Sequence, residues 1–198
     1  MSGHFIVLEG IDGAGKSTVC RSVVSELESR GLTVESTAEP THEGVGAFIR
    51  SGDAGDISQK TEALLFVADR NDHTEKILRS VGSGKQVVCD RYFASTVAYQ
   101  SAKLEGDSTD RDWLVQINSD YTDIPDVVIL LDMDPRESLT RVSARGEAES
   151  KFENLGFLEQ VRREYLRLAE QFGFRIVDAS KGPDAVFADV MRIIDEVI

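Results

Sequence analysis

The sequence predicts an α/β domain with a five-stranded parallel sheet and helices on both faces. Three observations predict it. Five short apolar runs have the length and composition of buried parallel strands. Segments with helical periodicity lie between them. The first run ends in a glycine-rich turn that opens a helix.

In chain order, the first strand is Phe5–Leu8, and Val19, Val23 and Leu27 keep one face of the helix after it. The second strand is Leu32–Val34. A helix then carries Leu64-Leu65-Phe66-Val67-Ala68-Asp69-Arg70, with His73 beyond. The third strand is Gln86–Cys89, and a helix begins just after Asp90-Arg91. The fourth strand is Val127–Leu131, followed by a helix after Asp132-Met133-Asp134-Pro135. Leu158, Val161, Tyr165 and Leu168 share a helix face before the fifth strand, Arg175–Val177. Val186, Val190, Ile193 and Val197 mark a last helix, with Pro183 suited to its first turn. Two stretches break the rhythm, Glu39–Ser58 and Ala144–Glu153. They read either as binding loops or lids, or as ordinary solvated loops.

The 198 residues fit one domain spanning 1–198. The 22 Lys+Arg against 35 Asp+Glu give a net charge of −13, which disfavours a nucleic-acid polymer or an anionic membrane as partner. No run approaches the ~20 apolar residues of a membrane span, and no signal peptide is visible. Cys20 and Cys89 lack metal-ligand or C-x-x-C spacing, so they read as reduced thiols of a cytoplasmic protein.

The strongest signal is Gly10-Ile11-Asp12-Gly13-Ala14-Gly15-Lys16-Ser17, with Thr18 following. It matches the P-loop, G-x-x-x-x-G-K-[ST], in the required strand–turn–helix context. Glycines let successive backbone N–H groups close on phosphate oxygens, and the helix N-terminus adds positive partial charge. Lys16 is placed to reach the β- and γ-phosphates, and the Ser17 hydroxyl to ligate Mg2+. A P-loop implies ATP or GTP binding but not the reaction. N-K-x-D and D-x-x-G motifs are missing, which weighs against a regulatory GTPase.

The remaining polar residues suggest a second anionic substrate. Phe66 and Arg70 are i and i+4, so a ring able to stack on a base sits one turn from a guanidinium. Plain core packing of Phe66 is the alternative. Ser95 and Tyr99, and Thr96 and Gln100, are i and i+4 pairs; they line a site or a solvated face. The Gln100 amide can pair with a pyrimidine edge. Asp90 closes a strand, where a carboxylate can hold a Mg2+-bound water. Asp12 is a carboxylate inside a phosphate cradle, which argues for a role.

The ordered set Leu8-Glu9-Gly10-Ile11-Asp12-Gly13, Glu39-Pro40-Thr41, Ile49-Arg50, Phe66 to Arg70, Asp90-Arg91-Tyr92 and Ser95 to Gln100 resembles the thymidylate kinase family nearly end to end. The resemblance implies a P-loop NTPase fold with a short lid at about 144–153. It implies transfer of the ATP γ-phosphoryl to dTMP, giving dTDP, and a homodimer. Phe66 would stack on thymine, Arg70 reach its exocyclic oxygen, Gln100 pair with the base, and Tyr99 exclude a ribose 2′-hydroxyl. Arg50 and Arg91 would grip the acceptor phosphate, Asp12 would contact the 3′-hydroxyl and the metal environment, and Glu39, Ser95 and Thr96 complete the substrate set. A cis Glu39–Pro40 bond is also implied. The chain reads Ala38-Glu39-Pro40-Thr41-His42-Glu43 where many bacterial members read Arg-Glu-Pro-Gly-Gly-Thr.

Some family members carry a catalytic arginine in the P-loop, where this chain has Gly13. By resemblance the cation then comes from the lid, as Arg145 with Lys151 beside it: the lid-arginine, bacterial-like type. Arg141 would stack on adenine, near Ala179-Ser180-Lys181. The alternative for this cluster is a surface salt-bridge helix. The competing functions are a kinase for another nucleoside monophosphate such as dUMP, or a P-loop ATPase switch module without nucleotide transfer. Seven basic residues fall in the inferred site, so a small basic cleft is expected within an acidic exterior.

Overall fold

A computed structural model describes residues 3–53, 55–104, 108–119, 124–144 and 155–198. Five parallel strands run β1 (Phe5–Glu9), β2 (Val34–Ala38), β3 (Gln86–Asp90), β4 (Val127–Asp132) and β5 (Arg175–Asp178), in the spatial order β2-β3-β1-β4-β5. The central strand β1 pairs with β3 through Leu8↔Asp90 and with β4 through Glu9↔Leu130. β1, β3 and β4 are buried almost throughout, which explains their continuous apolar runs.

The helices are α1 (Lys16–Ser29), α2 (Gly44–Ser51), α3 (Gln59–Gly82), α4 (Phe93–Lys103), α5 (Ser108–Ser119), α6 (Pro135–Ser143), α7 (Leu155–Phe172) and α8 (Pro183–Ile194). α1 packs against α8, while α4 packs among α3, α5 and α7. The buried stripes are those of the sequence: Val19, Val23 and Leu27 on α1, and Leu158, Val161, Tyr165 and Leu168 on α7. Pro183 occupies the first turn of α8, although that helix stops at Ile194, before Val197.

Three differences have local causes. The second strand lies at Val34–Ala38 rather than Leu32–Val34, because β2 is a half-exposed edge strand with little apolar signal. The stretch expected as a loop, Glu39–Ser58, contains α2, whose glycines mask its helical pattern; Gly46 lies so close to Thr41 that a β-carbon would stand 2.4 Å from its Oγ1. α5 had no clear periodicity to announce it. Both cysteines are buried free thiols. Among the described residues, no helix is long and apolar enough to cross a membrane.

The carboxyl ends of β1 and β3 deliver Glu9, Asp90 and the loops after them to one crevice. The strand order reverses direction there, where ligands of open parallel sheets bind.

Candidate active site

The P-loop leaves β1 at Gly10 and enters α1 at Lys16, with Gly15 at the N-cap in the left-handed region (φ 93°). Gly13 lies at φ 83° against α6; a β-carbon there would stand 2.7 Å from the Ser138 carbonyl oxygen. The Ser138 hydroxyl donates to the Asp12 carbonyl, so α6 braces the loop. Lys16 donates to the Ile11 carbonyl at 2.9 Å. Burial, then the nearby Arg91 charge, pushes the Lys16 ammonium down to about 8. The loop, with Asp90 and Arg91, encloses a cavity of about 140 Å³ lined also by Thr18.

The Ser17 hydroxyl donates to Asp90 Oδ2 at 2.5 Å, and the buried Asp90 Oδ1 has no partner among the described residues. An unpaired carboxylate oxygen beside a hydroxyl is an all-oxygen donor pair, which suits a hard cation such as Mg2+. Among the described residues, no three His, Cys, Asp or Glu side chains cluster to hold a metal unaided. Mg2+ commonly keeps several waters and takes the rest of its shell from few carboxylates and from substrate phosphates, so the pair fits it.

A second cavity, of about 290 Å³, lies between α3 and α4. Phe66, Arg70, Ser95, Thr96, Tyr99 and Gln100 all line it, with Glu39 and Pro40 at one side and Asp12 and Arg91 at the end nearest the P-loop. Phe66 is therefore a cavity wall and not a core residue. Arg70 is almost wholly buried, and its partners are long-range. Nε donates to Glu39 Oε2 at 2.9 Å, Nη2 to Thr96 Oγ1 at 2.7 Å, and Nη1 to Asn118 Oδ1. His73 Nδ1 donates to Glu39 Oε1 at 2.9 Å. Gln100 is 2% exposed, and its Oε1 has no partner among the described residues. A buried acceptor without a partner, on a residue that lines a cavity, suits a ligand N–H. The Glu39–Pro40 peptide is cis.

Arg91 joins the two cavities. Its backbone is left-handed (φ 73°), a conformation that costs a residue with a side chain about 1–2 kcal/mol. Nη2 donates to Asp12 Oδ1 at 2.6 Å, and the guanidinium lies over the Tyr99 ring, 5.1 Å from its centre. The Tyr99 hydroxyl donates to Asp12 Oδ2 at 3.0 Å. Burial works against ionisation of Asp12, but Arg91 and Lys16 outweigh it and hold the carboxyl below its ordinary range. Burial pushes the Tyr99 phenol up to about 12.

Not every expected residue converges. Arg50 is turned onto the Pro40 carbonyl, to which Nε donates at 2.8 Å. It lines a larger polar cavity of about 770 Å³ beside β2, which Arg91 also borders. Arg141 Nη1 donates to the Ala179 carbonyl at 3.0 Å, which joins α6 to the 179–181 loop. Arg145, Lys151 and almost all of the expected lid fall outside the described residues.

Several site residues carry no local sequence signal. Glu9 is fully buried and accepts from the Tyr92 and Ser95 amides, the Ser95 hydroxyl and the Tyr165 hydroxyl. Burial raises its pKa. Asn118 and Ser138 are likewise wholly buried. For Glu9 the sequence offered its place in the ordered set Leu8-Glu9-Gly10 and a carboxylate directly after an apolar run, but no role.

A P-loop cradle that shares Asp12 and Arg91 with a second cavity is the architecture of a P-loop kinase. The family model described as Thymidylate kinase matches residues 8–190. A probable thymidylate kinase of Pyrococcus horikoshii is 42% identical over 204 residues, covering 98% of this chain and 97% of the relative. One of Thermococcus kodakarensis is 39% identical (98% of each chain), and a thymidylate kinase of Leptospira borgpetersenii is 38% identical (96% and 92%). The chain belongs to the thymidylate kinase family.

Proposed function

We propose that this chain transfers the γ-phosphoryl group of ATP to the 5′-phosphate of dTMP, giving dTDP and ADP. The observation that carries the reading is the cavity of Phe66, Arg70, Thr96, Tyr99 and Gln100, which ends at Asp12 and Arg91 against the P-loop. Full-length similarity to thymidylate kinases supports the same reaction.

The thymine ring lies on Phe66, its N3–H donates to the unpaired Gln100 Oε1, and Arg70 faces its carbonyl edge. Tyr99 and Asp12 face the sugar. The acceptor phosphate lies at Arg91, with Arg50 on its far side and Glu39, Ser95 and Thr96 holding the pocket walls. The P-loop amides of residues 10–18 and Lys16 hold the ATP phosphates, and Arg141 lies toward the adenine. Ser17 and Asp90 hold Mg2+, which supplies charge neutralisation on the phosphates. The acceptor oxygen is already largely ionised, since a phosphomonoester has its second pKa near ~6. No strong base is needed. Alignment and neutralisation by Lys16, Arg91 and the donor-side cation do the chemistry.

The donor-side cation is Arg145, assisted by Lys151, in a short lid over about 144–153. The chain acts as a single domain over 1–198, read from its length, in the cytoplasm, read from its unpaired cysteines, and as a homodimer, carried by resemblance. Gly13 supports the lid-arginine type, because its position against Ser138 has no room for a side chain. Rates of ADP release over dTMP, dUMP, dCMP and UMP test the function. Turnover that prefers dTMP supports it, and turnover indifferent to all four contradicts it. One methyl group is worth only ~1–3 kcal/mol, so dUMP is expected as the nearest competitor.

A further inference from the structure

Arg91 is held in a strained backbone conformation, yet only part of its support comes from residues that face a cavity. Its Nη1 has three partners: the Gly10 carbonyl at 3.3 Å, Ser95 Oγ at 3.0 Å and the Tyr165 hydroxyl at 3.3 Å. Tyr165 comes from the middle of α7, 74 positions away in the chain.

Both hydroxyls are oriented from behind by one carboxylate. Glu9 Oε2 accepts from Ser95 Oγ at 2.6 Å and from the Tyr165 hydroxyl at 3.1 Å, and the two hydroxyls lie 2.7 Å apart. A hydroxyl carries one proton and two lone pairs. Each proton goes to Glu9, or one of them to the neighbouring hydroxyl, so each oxygen keeps a lone pair to accept from the guanidinium. The other oxygen, Glu9 Oε1, accepts from the amides of Tyr92 at 2.8 Å and Ser95 at 3.1 Å. Those are the N-cap amide and the amide of the third residue, in the first turn of α4, whose own N-cap residue Tyr92 makes no side-chain cap. Glu9 thus caps α4 from a neighbouring strand, and the cap and the arginine share one anchor.

We propose that Glu9 and Tyr165 are positioning residues that hold Arg91 in place to receive the acceptor phosphate. The proposal rests on the reading of Arg91 given above. Glu9 and Tyr165 line neither the P-loop cavity nor the base cavity, so they act through Arg91 and not on substrate. Tyr165 is the cleaner probe, because its phenyl ring packs in the core while its hydroxyl alone reaches the arginine.

The test compares two ligands that differ only by the phosphate. Calorimetric dissociation constants for dTMP and thymidine are measured on wild type, Tyr165→Phe, Glu9→Gln, Arg91→Ala and the double variant Tyr165→Phe/Arg91→Ala. A hydrogen bond to a charged group is lost, so Tyr165→Phe is expected to weaken dTMP about tenfold and leave thymidine unchanged. Glu9→Gln is expected to do the same more mildly, because an amide keeps one acceptor for the α4 amides. In the Arg91→Ala background, Tyr165→Phe is expected to add nothing. Equal weakening of both ligands would show a merely structural role and overturn the proposal, as would no weakening of either. If Arg91→Ala itself leaves dTMP affinity unchanged, the acceptor role of Arg91 fails, and this proposal with it.

Discussion

Arg70 Nη2 and Glu39 Oε2 lie 2.8 Å apart with side chains 1% and 4% exposed, so the wall of the base cavity is built on a buried ion pair. Such a pair is retained only when its remaining hydrogen-bonding groups are satisfied. Here Asn118, Thr96 and His73 satisfy them, and Tyr92 lies under the guanidinium at 5.4 Å. Arg70 is therefore held in one orientation in the cavity wall.

Removing Glu39 leaves that charge uncompensated. Glu39→Ala is expected to cost about 3–5 kcal/mol of stability in urea unfolding. The surviving folded fraction is expected to show a raised KM for dTMP and an unchanged KM for ATP. A loss under about 1 kcal/mol would mean that water replaces the carboxylate and that the pair is not structural.

Gln100 lines the same cavity, and its Oε1 has no partner among the described residues. Gln100→Leu fills the space but offers no acceptor to a ring N–H. The KM for dTMP is expected to rise about tenfold or more, because the ligand N–H is then buried unpaired. Steady-state kinetics at saturating ATP check this; an unchanged KM would place the base elsewhere.

Burial and the neighbouring Arg91 charge push the Lys16 ammonium down to about 8. Its pKa lies below the ordinary lysine value, and a bound polyphosphate raises it again. Binding therefore takes up protons once the pH exceeds about 8, and the affinity for ATP declines from there upward. The decline is at most about tenfold per pH unit for one linked proton. Calorimetry at pH 7 and 9 measures it, and equal affinities at the two values would contradict the assignment.

Gly13 has no room for a side chain, because a β-carbon would meet the Ser138 carbonyl oxygen at 2.7 Å. A cation on the donor side must come from another segment, assigned above to Arg145. Arg145→Ala is expected to lower kcat by ~10³ or more while changing the KM for dTMP little. Near-normal kcat would refute that assignment.

Much of this was legible in the sequence, and the rest has a shared cause. The P-loop is a local motif of eight residues, and β1, β3 and β4 are apolar because both their faces are covered. Phe66 with Arg70, and Thr96 with Gln100, share helix faces by spacing alone, and the structure brings all four to one cavity. What spacing could not convey is long-range pairing. Asn118 meets Arg70 across 48 positions, Ser138 meets Asp12 across 126, and Tyr165 meets Glu9 across 156. Arg50 shows the converse, since its place in the order did not reveal that the Pro40 carbonyl holds it. β2 was misplaced because an edge strand does not need continuous apolar residues.

The most direct measurement is a crystal structure of the protein with dTMP. The thymine ring is expected on Phe66, with N3 within hydrogen-bond distance of Gln100 Oε1 and the 5′-phosphate on the Arg91 guanidinium. A nucleotide seated in the larger cavity beside β2, with Phe66 and Gln100 untouched, would contradict the assignment of the base site.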